Sequence, residues 1–257
     1  AGVEALPQRP PNLCAGCPHR ATYFAVKKVF GNDAVYSSDI GCYTLGILPP
    51  LSAADFLVCM GSSVSAGSGV SRASGQTVVG FIGDSTFFHS GLTGLVNAVF
   101  NKHDLLLVVL DNHTTAMTGH QPHPGVEKTL HGDNSVRLDV ATVCKGLGVP
   151  VVEQVNPLHH KKTLEILEKM KAQRGVRVLI AREPCPLHAR RIYGAKPTRV
   201  AYVADTCDQC GECLDTLACP AFHKMSGKVE INPLLCAGCM LCLQVCSHIK
   251  ARKLEAK

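Results

Sequence analysis

The last 51 residues of this 257-residue chain hold eight of its 14 cysteines, and that density constrains the fold more than any other feature. Residues 207–220 read CDQCGECLDTLACP and residues 236–246 read CAGCMLCLQVC. Each run is C-x2-C-x2-C followed by a fourth cysteine. A disulfide scaffold would spread its cysteines, and a chain this long does not need one to hold a core. Clustered thiols in a chain read as cytosolic point to metal instead. Zinc is the alternative, but two zinc sites call for four-ligand sets of the C-x2-C…C-x2-C kind, which these triplets suit poorly. A tight loop bearing three thiolates suits three corners of an iron–sulfur cube, with the fourth ligand brought from elsewhere.

The two runs resemble those of two-cluster bacterial ferredoxins, in which the fourth cysteine of each run ligates the other cluster. That resemblance implies one 4Fe–4S cluster on Cys207, Cys210, Cys213 and Cys246, and a second on Cys219, Cys236, Cys239 and Cys242. Two positions depart from the pattern. Five residues rather than three separate Cys213 from Cys219, and Ser247 rather than Pro follows Cys246. The longer gap changes the loop without changing the number of ligands.

Ahead of this block, residues 13–195 alternate strand-like and helix-like stretches. TVVGFIG (77–83) and LLLVVLD (105–111) are buried apolar runs. Between them, SGLTGLVNAVFNKH (90–103) puts Leu92, Leu95, Val96 and Val99 on one helical face. NPLHHKKTLEILEKMKAQRG (156–175) has an Asn cap, Pro in its first turn and a closing Gly, which predicts a helix; the strand VRVLIA (176–181) follows. Strand–helix–strand units of this length predict an α/β fold, a parallel sheet with helices on both faces. The chain then divides into a linker at 1–12, an α/β domain at 13–198 and a small ferredoxin-like α+β domain at 199–257.

Apolar residues make up 46 % and charged residues 18 %, a globular balance without an apolar run of membrane-spanning length. The opening AGVEALPQRPPN lacks a Met and is too polar for a secretory signal. It reads as a linker within a longer polypeptide, and the chain as cytoplasmic. The net charge of +6 gathers at HHKK (159–162), ARR (189–191) and the KARKLEAK end. No recognised nucleic-acid motif accompanies it. It reads as solvated surface or as a docking face for an acidic partner, and neither nucleic acid nor membrane is an expected partner.

In open parallel sheets, ligands gather beyond the carboxyl ends of strands. Here those ends are GDST (83–86) and DNHTTAMTG (111–119), with 26 residues between Ser85 and Asn112. Asp and Asn after buried strands are also common turn formers. The pair resembles the thiamine-diphosphate motif, Gly-Asp-Gly followed further on by Asn, with Ser85 in place of the second Gly. Mg2+ wants hard oxygen ligands and takes few from protein when it binds a diphosphate. The resemblance implies Mg2+ ligation by the side chains of Asp84 and Asn112 and the main-chain carbonyl of Thr114. The amides at the start of the following helix would favour the diphosphate.

CAGCPHR (14–20), DIGCYTLG (39–46), CMGSSVSAGSGVSRA (59–73), GDSTFFHSGLTGLVNAVFNK (83–102), LDNHTTAMTGHQPHPG (110–125) and the cysteine block together resemble the 2-oxoacid:ferredoxin oxidoreductases. Within that family they look most like the C-terminal part of the alpha subunit of the indolepyruvate type, over nearly the whole chain. The resemblance implies oxidative decarboxylation of an aryl pyruvate on thiamine diphosphate. Electrons would leave singly through the clusters to ferredoxin, and coenzyme A would take the acyl group. Gly41, Cys42, Gly61, Ser62, Gly83, Asp84, Ser85, Asn112, Thr114, Met117 and Thr118 are then expected at the cofactor, with Met117 and Thr118 supporting the thiazolium.

The resemblance also implies a missing half. A pyrimidine-binding domain, on a second subunit or another portion of the polypeptide, completes the thiamine site in a hetero-oligomer. Members of the broader family hold a third 4Fe–4S cluster near thiamine, and its ligand pattern falls on Cys14, Cys17, Cys42 and Cys185. A thioredoxin-like dithiol and free thiols are the alternatives for Cys14 and Cys17. His89, His120 and His123 lie in the two motif loops, where a catalytic base or carboxylate donor would suit a 2-oxo acid; solvated loop histidines are the alternative. His159, His160 and His188 are expected at the surface, and Cys59 and Cys144 in the core. Two other classes of function stay open: an electron-transfer module with a degenerate α/β domain, and a non-oxidative 2-oxo acid decarboxylase.

Overall fold

A computed structural model describes residues 10–254; most of the expected linker, at 1–9, lies outside the described residues. The apolar runs become strands β1 (Ala34–Ser37), β2 (Thr77–Gly83) and β3 (Leu105–Asp111). A two-residue hairpin, β4 (Lys128–Thr129) and β5 (Gly132–Asp133), follows, and then β6 (Val151–Val155) and β7 (Val176–Arg182). The main sheet is parallel throughout, in the order β1-β2-β3-β7-β6. Its helices are α1 (Pro18–Phe30), α2 (Ser62–Ser74), the single turn α3 (Asp84–Thr86), α4 (Leu92–Phe100), α5 (Val140–Gly146), α6 (His160–Lys171) and α7 (Pro186–Tyr193).

The two-layer cover follows from the direction of each crossover. The steps from β1 to β2, β2 to β3 and β3 to β6 run one way across the sheet, and the step from β6 to β7 runs back. Right-handed crossovers therefore place α2, α4 and α5 on one face and α6 on the other. Alternate strand residues serve the two layers. Val79, Phe81, Leu106 and Val108 face α1 and α6. Val78, Ile82, Leu105 and Leu107 face α2, α4 and α5. Every residue of β3 is buried, as expected of a central parallel strand.

The helix expected from residue 90 starts earlier. The chain turns helical at Asp84, passes through one π turn (Phe87–Gly91) and continues as α4. Gly91 allows this, because a Cβ there would meet Ile82 Cδ1 at 2.6 Å. The buried stripe of α4 centres on Leu95 and Ala98, so Val96, a step of about 100° round the helix, is 48 % exposed. Helix α6 starts at His160, later than the Asn cap predicted, because Asn156 Oδ1 accepts from the Leu158 amide (2.9 Å) in a preceding turn. His160 itself is buried, not on the surface, and its ring lies 5.1 Å from that of Phe24.

What covers His160 is the C-terminal unit, since its amide donates to Gln244 Oε1 (2.9 Å). Here β8 (Arg199–Val203) pairs antiparallel with β11 (Ile249–Lys253), and β9 (Phe222–Met225) with β10 (Lys228–Ile231). A short helix, α8 (Glu212–Leu217), fills the longer gap between Cys213 and Cys219. The small core of Leu217, Phe222, Val229, Leu241 and Ile249 includes Ala21 of α1, so the unit packs directly on the first helix of the α/β layer. Among the described residues no helix is long and apolar enough to cross a membrane.

Candidate functional site

Strands β2 and β3 end side by side, and the loops leaving them enclose a cleft of about 110 Å³. Gly83, Asp84, Ser85, Asn112, Thr114, Met117 and Thr118 line it, joined by Gly41 and Cys42 from the segment after β1. Asp84 is 3 % exposed. Its Oδ1 accepts from the Ser85 amide (2.8 Å), and its Oδ2 from the amides of Asn112 (3.1 Å) and His113 (2.8 Å). Burial pushes its pKa up, but His123, the Ser85 amide and His19 outweigh burial and hold it below the usual carboxylate range. Asn112 Oδ1 accepts from the Thr114 amide (3.3 Å), which aims it beside Asp84. An ionised carboxylate and an amide oxygen, both fixed by main-chain donors, form the hard donor set that Mg2+ takes.

The glycines of the cleft make room for a residue that sequence reasoning missed. A Cβ at Gly41 would meet the Tyr43 ring at 2.4 Å, and one at Gly83 would meet it at 2.5 Å. Tyr43 lies between them, with its hydroxyl 3.1 Å from both Thr86 Oγ1 and Ile40 O. Gly61 and Ser62, expected at the cofactor, are not among the lining residues. The Ser62 hydroxyl turns back on Cys59, accepting from its amide (3.1 Å) and donating to its carbonyl (2.7 Å). The first amides of α2 serve the buried carboxylate of Asp39, which also accepts from the Ser63 hydroxyl. Burial pushes Asp39 up to about 6, although the Ser63 hydroxyl and those amides pull the other way.

The histidines sort differently from expectation. His89 and His120 do not line the cleft. His120 reaches it only through Thr114 Oγ1 (3.4 Å), and its ring stacks on that of His188 at 5.4 Å. His123 lies with Nε2 3.1 Å from Asp84 Oδ2. Its Nδ1 accepts from the Gly125 amide (3.2 Å), which leaves the proton on Nε2, toward the carboxylate. The histidine that does line the cleft is His19, which is 3 % exposed. Its Nε2 lies 3.2 Å from Asn112 Nδ2, and burial pushes its pKa down to about 4. The signal was present in CAGCPHR: Pro18 at the first position of α1 fixes where the next side chain points.

The cysteines fall into three neighbourhoods. Cys219, Cys236, Cys239 and Cys242 line one cavity, and burial together with the other three thiols pushes Cys242 up to about 12. Cys213 is raised by burial and by the adjacent Cys246 and Cys207. Cys42 and Cys185 are raised by burial, and by Cys14 and, for Cys42, by Cys185. Cys17 is buried beside Cys14 and Arg20 at the start of α1. Among the described residues no three His, Cys, Asp or Glu side chains close on a single-ion position; in a four-iron cube each thiolate meets its own iron. Cys144 is buried, while Cys59 is exposed, held out by the turn it makes with Ser62.

One contact joins these neighbourhoods. CAGC occurs at 14–17 and again at 236–239, and the two loops lie against each other. Gly16 has φ +74°, and a Cβ there would meet Ala237 Cβ at 2.7 Å. Gly16, Cys17 and Arg20 thereby form one wall of the Cys219 cavity, while His19 lines the cleft.

Residues 39–181 match the family described as thiamine pyrophosphate enzyme, C-terminal TPP binding domain. Residues 199–247 match the 4Fe-4S dicluster domain. The chain is 47 % identical over 253 residues to indolepyruvate oxidoreductase subunit IorA of Methanothermobacter marburgensis, covering 95 % of this chain and 40 % of that protein. It is 43 % identical over 245 residues to the subunit of the same name from Archaeoglobus fulgidus, covering 94 % and 39 %. The chain thus spans about 40 % of the length of the curated relatives it matches. Among solved structures, the 2-oxoglutarate:ferredoxin oxidoreductase from Magnetococcus marinus, determined with 2-oxoglutarate, coenzyme A and succinyl-CoA bound, shares the fold. Its TM-score is 0.62 at 18 % identity, over 70 % of this chain and 66 % of that one.

Proposed function

Because this chain belongs to the thiamine pyrophosphate enzymes, carrying their C-terminal TPP-binding domain joined to a 4Fe–4S dicluster domain, we propose that it is the diphosphate-binding and electron-exporting portion of a 2-oxoacid:ferredoxin oxidoreductase. Its substrates are aryl pyruvates, indolepyruvate among them, with coenzyme A as acyl acceptor and ferredoxin as electron acceptor. The observation that carries this reading is the shared wall: His19 lines the cleft while Cys17 and Arg20 line the Cys219 cavity. A chain that only stored electrons would have no use for a cleft holding a buried carboxylate and a histidine next in sequence to a residue of its cysteine cavity. One that decarboxylated without oxidation would have no use for the cavity.

Bound thiamine diphosphate would supply the carbanion chemistry that splits a 2-oxo acid. The residues of this chain anchor and orient it. Asp84, Asn112 and the Thr114 carbonyl would hold the Mg2+ that binds its diphosphate. Met117 and Thr118 would support its thiazolium ring, and Gly41 and Gly83 leave room for Tyr43 in the wall of the cleft. His19, neutral and fixed on Asn112, presents an imidazole to the cleft in place of His89 and His120. The crossed cysteine sets would hold two clusters, and Cys14, Cys17, Cys42 and Cys185 would hold a third. A pyrimidine-binding partner completes the site in a hetero-oligomer. Thiols in these numbers suit a reducing, anaerobic cytoplasm.

The test is an anaerobic assay of the chain assembled with its pyrimidine-binding partner, given indolepyruvate, coenzyme A and oxidised ferredoxin. Aryl-acetyl-CoA together with two equivalents of reduced ferredoxin is the expected result. Aldehyde as sole product would replace this reading with a non-oxidative decarboxylase. A preparation that holds iron and sulfide but never thiamine would replace it with an electron-transfer module.

A further inference from the structure

Arg20 follows His19 on the first turn of α1 and lines the Cys219 cavity rather than the cleft. It is 2 % exposed, and a charge buried that deeply needs partners. Its Nη1 donates to the carbonyls of Leu217 (3.0 Å) and Ala218, in the C-terminal unit. Its Nη2 donates to the Leu13 carbonyl and lies 3.4 Å from both Asn12 Oδ1 and the Cys14 carbonyl. All of these acceptors are neutral. The remaining donor, Nε, is buried and has no hydrogen-bond partner among the described residues. A buried N–H without an acceptor is costly, and the cavity that Arg20 lines is ringed by four thiols.

We propose that Arg20 donates its Nε–H to a sulfur of the 4Fe–4S cluster held by Cys219, Cys236, Cys239 and Cys242, and that its charge raises the reduction potential of that cluster above what the same four cysteines would give alone. The proposal rests on the dicluster assignment and goes beyond it by giving the two clusters unequal roles. Cluster potential follows net charge, hydrogen bonds to sulfur and solvent exposure. A reduced cluster carries one more negative charge than an oxidised one, so a fixed cation and an N–H donor both favour the reduced form. The step itself is a one-electron transfer in which no bond forms or breaks, the electron coming from oxidation of the 2-oxo acid in the cleft. Of the two ferredoxin-type clusters, the Cys219 set, against the shared wall, becomes the entry point, and the Cys207 set the exit.

The test is a potentiometric titration followed by electron paramagnetic resonance on cluster-replete wild type, R20M and R20K, with dithionite as reductant. In R20M the reduction equilibrium of the Cys219-set cluster is expected to fall on the order of tenfold, about 59 mV for one electron, with the Cys207-set cluster unmoved. R20K keeps the charge but loses the planar fork, so it should fall in the same direction by less. If R20M does not assemble its clusters, R20K decides, and it must lie below wild type. An unchanged midpoint in a cluster-replete variant, or an equal shift of both clusters, would overturn the proposal. Fewer than two ferredoxin-type clusters in the wild type would overturn the dicluster assignment, and the proposal with it.

Discussion

Asp84 accepts three main-chain amides and lies 3.1 Å from a histidine Nε2. Those contacts hold it below the usual carboxylate range, so the proposed Mg2+ site would be preorganised. Asp84→Ala removes one proposed metal ligand with its charge and frees the amides of Asn112 and His113, loosening the loop that carries the other two, Asn112 and Thr114. The expected outcome is loss of Mg2+-dependent thiamine diphosphate binding by at least a hundredfold in Kd, measured by calorimetry on the assembled enzyme, with iron content unchanged. Normal binding in the variant would move the metal site elsewhere. The neighbouring His19 shows how side chains next to one another in sequence serve different chemistry. A helical step of about 100° separates the imidazole that meets Asn112 from the guanidinium that meets Leu217 and Ala218.

At the scale of elements, α2 is anchored by a carboxylate from another part of the chain. Asp39 lies beyond the end of β1 and takes the first amides of α2, which is why those amides do not face the cleft. Its pKa is raised to about 6 by burial, so the folded chain keeps the proton at pH values where the unfolded chain has lost it. The stability this group contributes is full below about pH 4 and falls as pH rises through 6. Asp39→Asn cannot ionise. Relative to wild type, the variant should gain about 1.4 kcal/mol between pH 5 and 7.5, read as the difference in anaerobic thermal unfolding. A constant difference would mean the carboxyl is ionised throughout.

Much of this level was legible in the sequence, and the exceptions share a cause. The apolar runs at 77–83 and 105–111 became β2 and β3 because a parallel strand buried on both faces must be apolar throughout. The residues at their carboxyl ends, 83–86 for β2 and Asn112 with 114–118 for β3, line the cleft because the sheet brings those ends together. What could not be read were approaches between segments far apart in the chain. Tyr43 wedged against Gly83, Asp39 took the amides of α2, and the C-terminal unit covered His160. No local spacing encodes these contacts. Val96 failed for another reason: the buried stripe of α4 centres on Leu95 and Ala98, and Val96 falls outside it, while the helix starts early because a π turn at Phe87–Gly91 links Asp84 to α4.

For the molecule as a whole, iron content separates the cluster assignments. Two clusters give about 8 Fe per chain and a third gives about 12, measured with acid-labile sulfide on anaerobically prepared protein. Because Cys14 and Cys185 raise the Cys42 thiol and Cys14 raises that of Cys185, about 12 is the value expected of the proposed third cluster. A value near 8 would leave those four as thiols. The wall between cleft and cysteine cavity also sets an order of events. Arg20 reaches carbonyls 197 and 198 residues further along the chain. Contacts so distant in sequence form slowly, because a long loop must close before they stabilise anything. Until it closes, the guanidinium stays in water, Gly16 has no Ala237 to rest on, and the wall does not exist. A chain in which that loop has not closed would also lack the wall through which the proposed electron path runs.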